Sequence, residues 1–268
     1  MRNRFTTPIV SALVALAPGL GLTAANAEPR AIWKPAAGTS FSIILSVAPK
    51  QIDTPAQVVD LDLFDNPRKT VQALHQQGKR AICYLSAGSW ENWRPDKNAF
   101  PSSVIGKAYD GWAGERWLDT RQIDLLAAPM RARLDLCKSK GFDAVDPDNV
   151  DSYQADTGFK IRRADSIKYL RFLAREAHAR GLAIGLKNAG ELADAVMPDV
   201  DFAVTEDCFD QGWCRTSKNF IDQGKAVFAI EYTDNHINFA AFCRQAKNVG
   251  LSPLLKRRNL NEWEKRCL

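Results

Sequence analysis

Eight short apolar runs, each leading into polar residues and followed by a helical pattern or a loop, constrain this chain more than any other feature. They occupy 41–45, 58–63, 81–85, 144–145 leading into Asp146, 183–186, 202–205, 226–230 and 251–255. Runs so short and so apolar suit strands buried on both faces, as in a parallel sheet flanked by helices. The helices carry their own punctuation. Asn66 and Pro67 read as a cap and first-turn pair, Val71 and Leu74 give a buried stripe, and Gly78 closes the helix. A second helix runs to Gly141 with Met130, Leu134 and Cys137 on one face, and a third stops at Gly181 with Ile167, Leu170, Ala174 and Ala177 on one face. Repetition of helix, glycine and strand without an internal linker or low-complexity segment points to a single (β/α)8 TIM barrel. The length of 268 residues suits that fold. One connection, 86–121, is long, and long connections in compact domains are often functional.

The first 27 residues read as a leader outside this fold. Arg2 and Arg4 precede an apolar stretch broken by Pro18, Gly19 and Gly21, and Ala25-Asn26-Ala27 fits the small-x-small cleavage rule of a secretory signal peptide. The barrel domain is then 28–268, a secreted or periplasmic chain with no membrane contact after cleavage. All six cysteines fall in that part, and an even count in an exported chain favours disulfides. Cys208 and Cys214 are near enough to close a small loop. Six cysteines allow 15 full pairings, so Cys83 with Cys137 and Cys243 with Cys267 are one choice among several. The three histidines, His75, His178 and His236, have no partner at ligand spacing, so a zinc site is not expected. The formal charge of +5 loses two positives with the leader, too balanced a remainder for a nucleic-acid partner. Lys256-Arg257-Arg258, the densest basic cluster, follows a strand and is assigned no function.

In a parallel barrel the active site lies at the carboxyl ends of the strands. Here those ends are polar. The second run carries Asp60 and Asp62 and precedes Asp65; the third leads into Ser86-Ala87-Gly88-Ser89-Trp90-Glu91-Asn92-Trp93; the fourth gives Asp146-Pro147-Asp148-Asn149-Val150-Asp151. Lys187-Asn188, Glu206-Asp207 and Glu231-Tyr232 follow the next three. Many carboxylates with one histidine nearby point to paired-carboxylate chemistry rather than a Ser/His/Asp triad, and glycoside hydrolysis is a common use of such a site. Trp90, Trp93, Trp112, Trp117 and Trp213 fall in expected loops, where flat rings can stack on sugars, although Trp112 and Trp117 equally suit burial under the long connection. The oxygen-rich spacing of Asp146, Asp148 and Asp151 also admits a hard cation, but Pro147 and the preceding strand differ from a calcium loop, and no metal or cofactor is expected. Asp65 and Asp151 also read as turn or cap residues.

At these residues the chain resembles glycoside hydrolase family 114, the endo-α-1,4-polygalactosaminidase family. The matching segments are 83–96, 114–119, 141–151, 186–188 and 205–208, in that order. The chain is expected to act as a monomer, and the resemblance implies a barrel enzyme that cleaves α-1,4 links in galactosamine-containing polysaccharide. It places the catalytic pair on Asp148, with Asp146 as second choice, and on Glu206, with Asp148 as nucleophile and Glu206 as acid/base. Asp60, Asp62, Tyr84, Trp90, Trp93, Asn149, Lys187, Glu231 and Tyr232 are expected to contact substrate, with Asp60, Asp62 and Asp146 attracting sugar ammonium groups. An α-glycosidase of other specificity and a catalytically silent carbohydrate-binding barrel are the alternatives.

Overall fold

A computed structural model describes residues 31–46 and 52–267. The expected leader, 1–27, lies outside the described residues. Eight parallel strands follow the eight apolar runs to within a residue or two: β1 (Phe41–Ile44), β2 (Val58–Asp62), β3 (Arg80–Ser86), β7 (Ala144–Asp148), β8 (Ala183–Lys187), β9 (Phe202–Glu206), β10 (Val227–Tyr232) and β11 (Ser252–Lys256). These eight lie side by side in chain order, with β3 next to β7, and a short antiparallel strand, β12 (Glu264–Arg266), pairs with β11.

The seam between β11 and β1 is sealed by the segment that carries β12. Ser42 Oγ donates to Glu264 at 2.6 Å, Arg266 donates to the Phe41 carbonyl at 2.7 Å, and the Leu45 amide donates to the Leu260 carbonyl at 2.9 Å. The Cys243–Cys267 disulfide ties this segment to the preceding helix, α6 (Phe239–Val249).

Six α-helices cover the outside among the described residues. Three are long: α2 (Ile123–Lys140), α3 (Arg163–Ala179) and α6. α1 (Arg68–Gln76) is shorter, and α4 (Ala193–Val196) and α5 (Lys218–Asp222) are single turns. Gly141 ends α2 in the left-handed conformation at φ +94°, where a side chain would be strained. The start of α1 differs from expectation. Pro67 is the cap residue, and Asn66 turns its side chain back to donate to the Asp62 carbonyl at 3.0 Å, so it holds the strand end instead of the helix.

Alternation along each strand sorts residues into two cores. Outward residues such as Leu61, Cys83, Val145 and Ile184 pack against Met130, Leu134, Tyr169 and Leu173 of the helices. Inward residues fill the barrel floor, where Phe41 stacks on Phe228 at 4.3 Å beside Phe202, Ile230 and Leu254. The disulfides are Cys208–Cys214, the small loop expected from sequence, and Cys83–Cys137 and Cys243–Cys267, one of the choices that sequence left open.

The connection 86–121 is not an open loop. It folds into an antiparallel sheet, β4 (Ser89–Glu91), β6 (Glu115–Leu118) and β5 (Ile105–Ala108), in that order. Arg133, buried in α2, braces it by donating to the Ser86 carbonyl at 2.6 Å and to Asp96.

Candidate active site

Above the apolar floor the inward positions turn polar, and the carboxyl ends of the strands open into a cleft of about 910 Å³. Its centre is Lys187 at the end of β8. The buried ammonium lies 3.3 Å from Asp148 Oδ1 at the end of β7, 3.2 Å from Glu206 Oε2 at the end of β9, and 3.8 Å from Asp146 Oδ2 below. Burial alone would lower its pKa, but the carboxylates of Asp148, Glu206 and Asp146 reverse this and hold it well above the ordinary lysine value.

Each of the two outer carboxylates has its own further partners. Asp148 Oδ2 accepts from the Tyr84 hydroxyl at 2.6 Å. Glu206 accepts from the Tyr232 hydroxyl and from Asn188 Nδ2 at 3.3 Å, while its amide donates to Asn188 Oδ1 at 2.9 Å. Burial raises the Glu206 carboxyl, yet Lys187 and the hydrogen bonds from Tyr232 and Asn188 outweigh it, and the net direction is down. Burial, followed by the nearby carboxylates, pushes both tyrosine hydroxyls well above their usual range.

The Ser-Ala-Gly-Ser turn after β3 holds the backbone beside Asp148. The amides of Ala87 and Gly88 donate to the Asp148 carbonyl at 2.9 and 3.0 Å. A Cβ on Gly88 would come within 1.7 Å of the Asn149 carbonyl oxygen, so the approach requires glycine. Asn149, at φ +63°, donates from Nδ2 to Ser86 at 2.9 Å and to Glu115 at 3.1 Å.

Of the residues expected from sequence, Asp148, Glu206, Lys187, Tyr84, Tyr232, Asn149, Asp62 and Trp93 line the cleft. Four others do not, which removes them from direct contact with a ligand there. Asp60 and Asp146 are fully buried beneath it, with all four carboxyl oxygens lacking a hydrogen-bond donor. Burial first, and the neighbouring Asp146 charge second, raise Asp60 well above the usual range; burial likewise raises Asp146, to about 6. Glu231 points outward, one position from inward Tyr232, and accepts from the Phe209 amide at 2.7 Å. Trp90 packs against the outer core and donates to the Lys97 carbonyl at 2.9 Å. Asp62 reaches the cleft but is neutralised by Arg94, which donates to both of its oxygens and to Glu91.

Trp112 and Trp93 are the exposed rings at 56% and 48%, and Trp213 joins them in the lining, whereas Trp117 is buried against Tyr109. Asp146, Asp148 and Asp151 do not bring three donor atoms together. Among the described residues the group that does is Cys208, Cys214 and Glu231, and both of its sulfurs are joined in a disulfide.

Sequence reading missed Tyr109, Glu115 and Arg258. The first two lie in the folded insertion, where the alternation Ser89-Trp90-Glu91 was the available signal. Arg258 belongs to the basic cluster: it stacks over Tyr232 at 3.8 Å and donates to Asp207 at 2.8 Å. Its neighbours in that cluster are structural, with buried Lys256 donating to the Asn261 carbonyl at 2.6 Å and Arg257 lying over Trp263.

Residues 22–268 match the model of glycoside-hydrolase family GH114. The crystal structure of Ega3 from Aspergillus fumigatus, in complex with galactosamine, is similar at 40% identity with a TM-score of 0.84, covering 89% of this chain and 99% of that one. The glycoside hydrolase domain of PelA from Pseudomonas aeruginosa shares the fold at 16% identity and a TM-score of 0.68, covering 85% of this chain and 98% of that one. A protein of uncharacterized function from Deinococcus radiodurans is 27% identical over 236 residues, 78% of this chain and 75% of its own length.

Proposed function

Because the chain belongs to glycoside-hydrolase family GH114 and is therefore a glycoside hydrolase, we propose that it cleaves α-1,4 links within galactosamine-containing polysaccharide by paired-carboxylate catalysis. Asp148 is the nucleophile and Glu206 the acid/base. The observation that carries this reading is Lys187 held between the two carboxylates, at 3.3 and 3.2 Å. Their two facing oxygens lie no farther apart than those two arms laid end to end, which favours the short carboxyl separation of roughly 5–5.5 Å found in retaining enzymes. The likeness to Ega3, determined with galactosamine, supports the sugar class.

In the first step Asp148 attacks the anomeric carbon and Glu206 gives its proton to the departing glycosidic oxygen. In the second, Glu206 takes a proton from water, and the hydroxide displaces Asp148 from the same carbon. The Tyr84 hydroxyl and Lys187 stabilise the Asp148 carboxylate whenever it is free, and Tyr232 and Asn188 aim Glu206. Export with loss of 1–27 and action as a monomer complete the proposal; three disulfides support the oxidising compartment.

Asp148→Asn and Glu206→Gln should each lower kcat on a galactosamine polymer by about 10³-fold or more with the melting temperature little changed. Full activity in either variant removes that residue from the mechanism. The lowered Glu206 carboxyl favours one second reading, in which the two roles are exchanged. Azide rescue separates the readings: Asp148→Ala should yield a glycosyl azide of inverted configuration and Glu206→Ala one of retained configuration.

A further inference from the structure

The cleft holds many acids, and most are already answered by the protein. Arg94 neutralises Asp62 and Glu91, Arg258 takes Asp207, Ser89 and Asn149 donate to Glu115, and Lys187 serves Asp148 and Glu206. Asp151 is different. It lines the cleft three residues beyond Asp148, yet among the described residues no other residue gives its carboxylate a hydrogen bond or an ion pair. It precedes a single 3-10 turn, Ser152–Gln154, without capping it through its side chain. Asp65, likewise unanswered, is exposed to solvent, as is Glu191, which the Tyr153 hydroxyl serves, whereas Asp151 is half-buried.

We infer that Asp151 is the residue that reads a free amine, accepting from the ammonium on C2 of the sugar whose C1 is attacked by Asp148. This rests on the proposed role of Asp148. C2 is bonded to C1, so an amine there lies within about 5 Å of the attacking oxygen, given a near-attack separation of roughly 3–3.5 Å. Lys187 at Asp148 Oδ1 repels a second cation there and Tyr84 occupies Oδ2, whereas Asp151 shares the cleft lining, feels the Asp148 charge and has no cation of its own. A carboxylate partly withdrawn from water and short of a donor gains most from a cationic one. An N-acetyl group in the same place supplies no charge and more bulk. The acids expected from sequence to attract ammonium groups, Asp60, Asp62 and Asp146, are sealed below the cleft or neutralised, so discrimination falls to this residue. Burial, followed by the Asp148 charge, raises the Asp151 carboxyl to about 6, the direction expected of an acid awaiting a cation.

The test is calorimetric titration of the full chain carrying Glu206→Gln with an α-1,4-linked galactosamine oligosaccharide and with its N-acetylated counterpart. Adding Asp151→Asn should lower the affinity ratio, amine over acetylated, by about tenfold or more. Both ligands meet the same protein, so a misfolded fraction cancels in the ratio. Asp151→Glu, which keeps the charge, should retain a larger ratio than Asp151→Asn. A smaller fall than tenfold, equal loss for both ligands, or the same fall produced by Asp65→Asn overturns the inference. Failure of the proposed role of Asp148 would show instead as a glycosyl azide of retained configuration from Asp148→Ala, or as cleavage by Asp148→Asn, signals separate from the ratio.

Discussion

Asp60 and Asp146 set two carboxyls against each other where neither accepts a hydrogen bond from a donor and Lys187, 3.8 Å from Asp146, is the cation nearby, so a proton held by the pair relieves their repulsion. Their raised pKa values make this a cost that grows with pH. Well below the ordinary aspartate pKa of about 3.9, Asp60 is protonated both folded and unfolded. As pH rises the unfolded chain releases the proton while the folded chain keeps it, and stability falls until the folded pKa is passed. Asp60→Asn should therefore raise the melting temperature at pH 7 by several degrees, at about 2–4 °C per kcal/mol for a domain of this size, and by little near pH 4. Thermal melts across that range check it, and a gap independent of pH would refute it. Sequence could show that Asp146 and Asp148 share the inward face, since they are two apart on one strand. Depth along the barrel axis separates the buried acid from the cleft acid, and no local pattern encodes depth. Tyr232 and Glu231 were separable, because parity with Phe228 and Ile230 sends the tyrosine inward.

Among the elements, the loop after β9 shows how a short clamp serves geometry. Cys208–Cys214 closes it over a separation of six residues, Trp213 is carried into the cleft beside it, and Glu231 anchors its amides from below. Chain-entropy arguments give so small a loop about 2 kcal/mol, against about 4 kcal/mol for Cys83–Cys137, whose separation is 54. Replacing Cys208 and Cys214 by serine should thus raise KM severalfold while lowering stability less than the same change at Cys83 and Cys137. Steady-state kinetics beside denaturant titration would show whether the two effects separate in this way. The eight strands were legible because burial on both faces leaves an uninterrupted apolar run. The insertion strands were not. β4, β5 and β6 are only three or four residues long, and charges such as Glu91, Lys107 and Arg116 interrupt any run.

For the whole molecule, the decisive join is the one between first and last barrel strands, made by side chains and backbone of the β12 segment. Deleting residues 262–268 removes no cleft-lining group, yet should cost stability well beyond the roughly 3 kcal/mol of the Cys243–Cys267 link and abolish cooperative melting. Cys243→Ser with Cys267→Ser, which loses the link alone, should keep a single sharp transition at a lower temperature. Equal behaviour of the two proteins would show that the disulfide, and not the strand, seals the barrel.

That seal also sets a schedule. Residues 41–44 are made early, and the segment that covers their free edge is made after every other strand. Until that segment is made the growing chain therefore holds an unpaired strand edge of the kind that recruits neighbouring chains. The ring can come into being only after its parts are complete, so its first strand waits, edge open, for its last.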